Sequence, residues 1–179
     1  DVFGSGRGWA ASLIFNPNIR KQLTTFRRRA NTFSLGVCNG CQLMALIGLL
    51  DELPDERSNK LVEVPETSVI LAPNDSGRFE CRFVNVRIET TTNSIMLRDM
   101  EDSVFGVWVA HGEGKFKIEQ SVEVDCETRI ALRYVDDRGE PTMNYPLNPN
   151  GSDHAVAGLC SRDGRHLAMM PHPERCMQM

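Results

Sequence analysis

The apolar and polar positions divide the chain into a helical first part and a longer part of short strands. Apolar residues recur at every third or fourth position between Ile19 and Ala30, which predicts an amphipathic helix over 19–30. From Leu61 onward the apolar positions alternate or form short runs bounded by Gly, Pro, Asn and Asp, as is typical of strands and turns. The predicted strands lie within 68–71, 79–89, 104–110, 129–136, 156–160 and 165–170, and the last two form a hairpin.

The second predicted strand has an unusual pattern. Its first three apolar residues alternate, and the alternation then changes phase; the residues are Phe79, Cys81 and Phe83, followed by Val84, Val86 and Ile88. A change of phase predicts either a β-bulge or a strand that is shared between two environments.

The segment 32–50 predicts a buried strand, a sharp turn and an apolar helix, which is the arrangement of a nucleophile elbow. Cys38 stands at the tip of the turn. Gly36 and Gly40 flank it, and the absence of Cβ atoms allows the strand and the helix to pass closely. The free N–H groups at the start of the helix favour a thiolate at Cys38.

Composition and charge favour one ordinary globular domain over 1–179. The net charge of -4 argues against a nucleic-acid-binding surface, and no apolar run has the ~18 residues of a membrane helix. The six cysteines lack the spacing of a disulfide scaffold and indicate reduced thiols in a cytoplasmic protein. Arg27–Arg29, at the end of the predicted helix, are interpreted as a solvated, dipole-stabilising group.

The chemistry of Cys38 has three interpretations at this point. Cys38 and Cys41 form a C-x-x-C pair at a strand-to-helix junction, which leaves a dithiol oxidoreductase open. A zinc site is not favoured, because no second closely spaced pair exists and Cys81 and Cys160 lie in strand-like runs typical of buried thiols. We predict no metal ligands.

The third interpretation is nucleophilic catalysis, which requires a base and a group that orients it. Among the histidines, His154 and His166 have the surroundings of surface or structural residues. His172 lies between two prolines, and Glu174 follows two residues later, where its carboxylate can reach one ring nitrogen. A triad of Cys38, His172 and Glu174 is therefore predicted.

Two motifs resemble those of the class I (triad) glutamine amidotransferases, whose pattern is G-x-C-x-G-x-Q with a distant H-P-E. Residues 36–42 read Gly-Val-Cys-Asn-Gly-Cys-Gln, and 171–174 read Pro-His-Pro-Glu. Further segments are similar to the glutaminase domains of the large, single-chain phosphoribosylformylglycinamidine synthases; these segments are 1–10, 76–80, 110–114 and 145–152. The resemblance covers essentially the whole chain.

The resemblance implies an α/β, flavodoxin-like fold of three layers with a parallel or mixed sheet and added antiparallel hairpins. It implies that the N-terminal strands and an oxyanion-binding glycine loop of a full domain precede this chain, that its other end is also cut short, and that the isolated fragment is inactive. A catalytically silent domain of the same fold is the remaining alternative.

The resemblance also implies the reaction and the residues that bind its substrate. Cys38 attacks the side-chain amide of L-glutamine, and His172, held by Glu174, protonates the departing ammonia. The positions expected to border the glutamine are Asn39, Gln42, His111 and Gly112, with a structural role equally open for His111. This domain needs no cofactor, whereas the synthetase part of the parent protein, its partner in ammonia transfer, uses ATP and Mg²⁺ in purine biosynthesis.

Overall fold

Three α-helices lie within residues 4–51, the first described range. The computed structural model describes residues 4–51, 68–118 and 127–176. Helix α1 spans Ser5–Ile14, α2 spans Pro17–Arg28 and α3 spans Asn39–Leu46. Within these ranges no helix has the length and apolar character needed to cross a membrane.

Helix α2 begins two residues before the predicted helix because the Asn16 side chain caps it. Asn16 Oδ1 accepts hydrogen bonds from the backbone N–H groups of Asn18 and Ile19 at 3.1 and 3.2 Å. Pro17 occupies the first helical position, where its missing N–H costs nothing. The Asn-Pro pair that breaks the preceding segment therefore also starts the next helix.

In the part of the chain that the structure describes, eight strands form a mixed six-stranded sheet and a two-stranded sheet. The strands are β1 (Ser34–Val37), β2 (Val69–Ala72), β3 (Glu80–Ile88), β4 (Val104–His111), β5 (Lys115–Ile118), β6 (Ile130–Val135), β7 (Val156–Cys160) and β8 (His166–Met169). The larger sheet has the order β1-β8-β7-β6-β3-β4, and β2 pairs with β5. Only the β1–β8 pair is parallel among these described strands, so the predicted mixed sheet with antiparallel hairpins is confirmed.

The six-stranded sheet curls until its two ends approach each other. The segment after β8 forms an isolated antiparallel bridge with β4, in which the His172 N–H donates to the Trp108 carbonyl at 2.7 Å. One apolar core lies against α3 and includes Cys41, Met44 and Leu50. The second core lies inside the curl, where the short 3-10 segments Ile95–Leu97 and Pro173–Cys176 lie against it.

Strand β3 contains no bulge in its pairing with β4. The ladder is continuous from Glu80–His111 to Arg87–Val104. Only the second half of β3 also pairs with β6, so the strand is shared between two environments, which was the other predicted possibility. The apolar residues of the first half lie on the outer face, and those of the second half lie in the inner core.

Arg27 is not part of a solvated group, contrary to the interpretation of the arginine run. It is buried, and its Nη1 atom donates to Asp163 Oδ2 in the β7–β8 turn at 2.5 Å. Arg165, also buried, donates to the carbonyls of Arg27 and Arg29 at the end of α2. Tertiary contacts with a distant hairpin therefore bury a residue whose local sequence is typical of a surface.

We expect Asp163→Asn to destabilise the fold by about 2 kcal/mol at neutral pH, because Arg27 would remain buried without its counter-ion. Partial burial opposes ionisation of Asp163, but hydrogen bonds from Ser161, Arg27 and Arg165 outweigh it and strongly lower its pKa. The ionised carboxylate therefore stabilises the fold above its ordinary pKa of about 3.9, and this contribution is lost as the pH falls through the lowered value. Urea denaturation at pH 7 measures the effect.

The control for this prediction is Asp137→Asn, because Asp137 lies in an exposed turn. As the pH is lowered from about 5 towards 2, the wild-type protein and Asp163→Asn are expected to converge in stability. A constant difference across that range would show that the carboxylate charge is not what stabilises the hairpin.

Candidate active site

The predicted nucleophile elbow is present. Cys38 has φ 54° and ψ -109°, a conformation that non-glycine residues rarely adopt, and it connects β1 directly to α3. Its backbone N–H donates to the Met169 carbonyl at 3.0 Å, which extends the parallel β1–β8 pairing by one step. Parallel pairing places the ends of β1 and β8 at one edge of the sheet, so Cys38 lies near the segment that carries His172.

The two glycines that flank Cys38 differ in their surroundings. A Cβ atom on Gly36 would lie 2.6 Å from the Gly40 carbonyl oxygen and closer still to Met44 Sδ. A Cβ atom on Gly40 would meet no heavy atom within 4 Å. Close passage of strand and helix therefore requires glycine at Gly36, whereas the same steric explanation is wrong for Gly40.

His172 and Glu174 form the predicted pair. His172 Nδ1 lies 2.6 Å from Glu174 Oε1, and the imidazole is largely buried. Among the described residues, His172 Nε2 has no hydrogen-bond partner. Partial burial of Glu174 raises its pKa, but the hydrogen bond with His172, a backbone hydrogen bond and the charges of His172 and Arg175 together outweigh burial, and the net direction is downward. The carboxylate therefore orients the ring and leaves Nε2 available for a proton.

The start of α3 favours a thiolate at Cys38, as predicted, but burial of the thiol outweighs this contribution. Burial raises the pKa of the Cys38 thiol above its ordinary value. The backbone N–H of Asn39 and the positive charge of Arg175 act in the opposite direction without reversing the shift. Cys38 therefore needs a base to remove its proton, which is the role predicted for His172.

Cys41 is a core residue. It is completely buried, it packs with Met44 and Leu50, and burial raises its pKa well above the ordinary value of a thiol. Cys38 and Cys41 are both free thiols. These properties favour packing over dithiol chemistry, because a redox cysteine needs an accessible, low-pKa thiolate.

Both Cys81 and Cys160 were predicted to be buried thiols, and the structure confirms this for Cys160 but not for Cys81. Cys160 is fully buried, but Cys81 points to the outer face of β3 and is exposed. Cys126 lies outside the described residues.

Gln42 lies one helical turn after Cys38 and is buried. Its side-chain amide donates to the Glu113 carbonyl at 2.8 Å, which ties α3 to the loop after β4. A cavity of about 70 Å³ lies beside this contact; residues that line it include Gly6, Arg7, Gln42, Leu46 and Glu113. The elbow and the loop with Gly112 thus lie together, as the substrate-binding prediction requires.

His111 is completely buried at the end of β4. Burial, and then the neighbouring charges of His172 and Arg175, lower its pKa to about 3, so the ring is neutral at neutral pH. Neither ring nitrogen has a hydrogen-bond partner among the described residues. Of the two roles that the sequence left open for His111, complete burial favours the structural one.

A buried amide network positions the loop from His111 to Gly114, and the sequence did not predict it. The Asn74 side chain donates to the His111 carbonyl at 2.8 Å and accepts from the Gly114 N–H at 3.0 Å. Asn150 donates to Asn74 Oδ1 at 2.7 Å and accepts from the Tyr134 hydroxyl at 2.9 Å. The sequence indicated this network only through two asparagines in segments rich in Pro, Gly and Asn. Such residues are equally typical of exposed turns, so they did not distinguish a buried network from a surface loop.

The two remaining histidines do not join the site. His166 is buried in β8, where its Nδ1 lies 2.7 Å from the Ser34 hydroxyl oxygen, and burial lowers its pKa to about 4. His154 is exposed and has a positive φ of 51° in the turn before β7. Their structural and surface environments agree with the prediction.

Glu174→Gln is expected to reduce glutamine hydrolysis about 10- to 100-fold in kcat/KM, because the neutral amide stabilises a charged imidazole less well than a carboxylate does. The exposure of Glu174, whose side chain is 56% accessible, places the effect below that of a fully buried carboxylate. The assay measures glutamate release by the full-length protein between pH 6 and 9, because the isolated fragment is expected to be inactive. Glu101→Gln, at an exposed turn, is the control, and unchanged kcat/KM in Glu174→Gln would contradict the orienting role.

Comparison with known protein families shows which family this chain belongs to. The sequence profile of the CobB/CobQ-like glutamine amidotransferase domain matches residues 1–179. The chain belongs to this family. The elbow cysteine and the distant His-Pro-Glu segment of this chain therefore belong to a glutamine amidotransferase domain.

The amidotransferase domain is similar to parts of much longer proteins. It is 50% identical to phosphoribosylformylglycinamidine synthase of Drosophila melanogaster over 182 residues, which cover 100% of the chain and 13% of that protein. It is 46% identical to the synthase of the same name from Homo sapiens over 184 residues, covering 99% of the chain and 14% of that protein. The chain thus spans about one-eighth of the length of these relatives.

A solved structure shares the fold of the amidotransferase domain. The structure of PurLQS from Thermotoga maritima contains a chain that matches with a TM-score of 0.61 and 24% identity. The match covers 94% of the present chain and 62% of the other. It agrees with the predicted class I amidotransferase-like α/β fold.

Proposed function

We propose that this domain is the glutaminase part of a phosphoribosylformylglycinamidine synthase. The observation that carries the proposal is the strained Cys38 elbow at the end of β1, with the His172–Glu174 pair in the segment after the neighbouring parallel strand β8, in a chain about 50% identical to synthases of that name. In this function the domain hydrolyses L-glutamine and supplies ammonia for the ATP-dependent conversion of formylglycinamide ribonucleotide into formylglycinamidine ribonucleotide.

The first half of the reaction is an acyl transfer. His172 Nε2 takes the proton of the Cys38 thiol, and the sulfur attacks the side-chain carbonyl carbon of glutamine. The Asn39 N–H, which follows the nucleophile, donates to the developing oxyanion. The C–N bond breaks as His172 returns the proton to nitrogen, and ammonia leaves a glutamyl thioester on Cys38.

The second half regenerates the cysteine. His172 takes a proton from water, and the resulting hydroxide attacks the thioester carbonyl. The C–S bond then breaks, the proton passes to the sulfur, and glutamate is released. Glu174 holds the Nδ1–H of His172 throughout, so that Nε2 can act first as base and then as acid.

In this proposal, the partners of the glutaminase reaction lie in other parts of the longer protein. The ammonia would pass to a synthetase part of the same polypeptide, which would bind ATP and Mg²⁺ outside these 179 residues. We place the protein in the cytoplasm, in agreement with its unpaired described thiols. Gln42, Gly112 and the backbone of Asn39 are the proposed contacts for glutamine.

A diazo-ketone analogue of glutamine tests the function, because a nucleophilic cysteine that binds the analogue is alkylated. We expect the adduct on Cys38 alone, and we expect L-glutamine to slow its formation in competition. Equal labelling of Cys38 and Cys41, or a reversible disulfide between them, would support a dithiol oxidoreductase instead. Absence of labelling in the full-length protein would support a catalytically silent domain.

A further inference from the structure

An apolar strip lies on the outer face of the β3–β4 ladder, on the side opposite the inner core. Cross-strand pairs in the ladder include Cys81 with Ala110 and Phe83 with Trp108. Phe79, immediately before β3, continues the strip towards Gly112. We call Phe79, Cys81, Phe83 and Trp108 the outer aromatic face.

The outer aromatic face is exposed although its side chains are held in place. Phe79, Phe83 and Trp108 are 56%, 47% and 40% exposed. The rings of Phe83 and Trp108 meet edge to face with centroids 5.3 Å apart. A Cβ atom on Gly106 would overlap the Phe83 ring, so glycine at this position lets the ring lie close to the strand. Ordered aromatic side chains that stay accessible are the usual anchors of protein interfaces.

The outer aromatic face is connected to the candidate catalytic residues through the backbone. The Trp108 carbonyl accepts the His172 N–H at 2.7 Å, and Gly112, at the other end of the strip, follows β4 directly. A partner seated on this face would therefore lie against the strand that supports His172. This position would suit a partner whose own reaction must be coupled to glutamine hydrolysis.

We propose that the outer aromatic face docks the synthetase part of the longer synthase polypeptide, through an apolar surface on that part. The inference rests on the proposed function. The length of the relatives supplies the occupant: residues equivalent to this chain make up 13% and 14% of the Drosophila and human proteins, so most of each polypeptide lies outside the domain. A covalently attached partner has a high effective concentration, so a strip of a few aromatic residues suffices to hold it.

Cys81 provides a test in the unaltered protein, because its thiol belongs to the outer aromatic face and is exposed on this domain. In the full-length synthase we expect iodoacetamide to label Cys81 slowly, as determined by peptide mass mapping. We expect Phe83→Glu or Trp108→Glu to increase the labelling rate about tenfold, because a buried charge weakens docking. Rapid labelling of Cys81 in the unaltered full-length protein would overturn the proposal.

Coupling between glutamine hydrolysis and amidine synthesis provides a second measurement. In both variants we expect the ratio of glutamate released to amidine formed to rise several-fold, while ammonia-dependent synthesis is retained. Met100→Glu is the matched control, because Met100 is 45% exposed but lies before β4, near the opposite end of the ladder. An unchanged ratio in Phe83→Glu and Trp108→Glu, with ammonia-dependent synthesis intact, would also overturn the proposal.

Two further outcomes would reject docking of the synthetase part on the outer aromatic face. Protection of Cys81 that disappears on dilution would indicate a second copy of the chain as the occupant and would contradict docking within one polypeptide. Glutamine-protected alkylation of Cys38 together with rapid labelling of Cys81 would leave the glutaminase function standing and reject the docking surface alone.

Discussion

Replacing Cys38 by alanine in the full-length synthase is expected to abolish glutamine-dependent amidine formation, by about 10³-fold or more, while formation from added ammonium salt survives. The physical reason is that no other described thiol occupies the elbow, and no thioester can form without the sulfur. The measurement compares initial rates with glutamine and with ammonium chloride as the nitrogen donor. Loss of both activities would contradict a separate site of ammonia production.

Cys41→Ala is the matched control for Cys38→Ala, because the two thiols lie three residues apart. Cys41 is completely buried in the core beneath α3, so its replacement leaves a small cavity and costs about 1 kcal/mol. Glutamine-dependent activity is expected to fall by less than about threefold. A loss as large as that of Cys38→Ala would favour a dithiol mechanism.

Gly36→Ala is expected to destabilise the elbow by about 3 kcal/mol and to abolish glutamine hydrolysis. The added methyl group would lie 2.6 Å from the Gly40 carbonyl oxygen, a backbone atom that cannot rotate away. Relief of this overlap requires β1 and α3 to separate, which would move Cys38 relative to His172. Native-state hydrogen exchange of the α3 amide groups measures the loss of local stability.

Gly40→Ala is the control for Gly36→Ala within the same motif. Gly40 lies in the first turn of α3, and an added Cβ atom there meets no heavy atom within 4 Å. Alanine has a higher helix propensity than glycine by about 1 kcal/mol, so this change is expected to leave the amide protection of α3 unchanged or to increase it. Similar destabilisation by both substitutions would contradict the steric account of the elbow.

We expect the reactivity of Cys38 to depend on proton transfer to His172, whose Nε2 has no hydrogen-bond partner among the described residues, more than on the position of Cys38 at a helix terminus. Burial raises the pKa of the thiol, and the Asn39 N–H only moderates that effect. Under the proposed function, we expect proton transfer from Cys38 to His172 to accompany glutamine binding, when the substrate displaces water from the site.

Short-range patterns in the sequence predicted the elbow, most of the described strands and the identity of the reactive groups, but they did not predict β5 or the bounds of α1. Helical spacing predicted α2, alternation predicted β3, and a Gly-x-Cys-x-Gly between apolar runs predicted the elbow at Cys38. The spacing of His172 and Glu174 likewise predicted their contact, in which Nδ1 and Oε1 lie 2.6 Å apart. These features depend on neighbours within a few residues, so the order of residue types determines them.

Features that depend on distant segments were decided only by the tertiary structure. Arg27 is buried because Asp163, 136 residues away, lies in a hairpin that packs on α2. Asn74 and Asn150 form a network only because two irregular segments meet beside β4. The exposure of Phe83 and Trp108 follows from the face of the curled sheet that they occupy, and the raised pKa of Cys38 follows from burial of the elbow. The sequence by itself determined the candidate chemistry at Cys38 and His172, whereas packing decided the burial, charge and accessibility that control it.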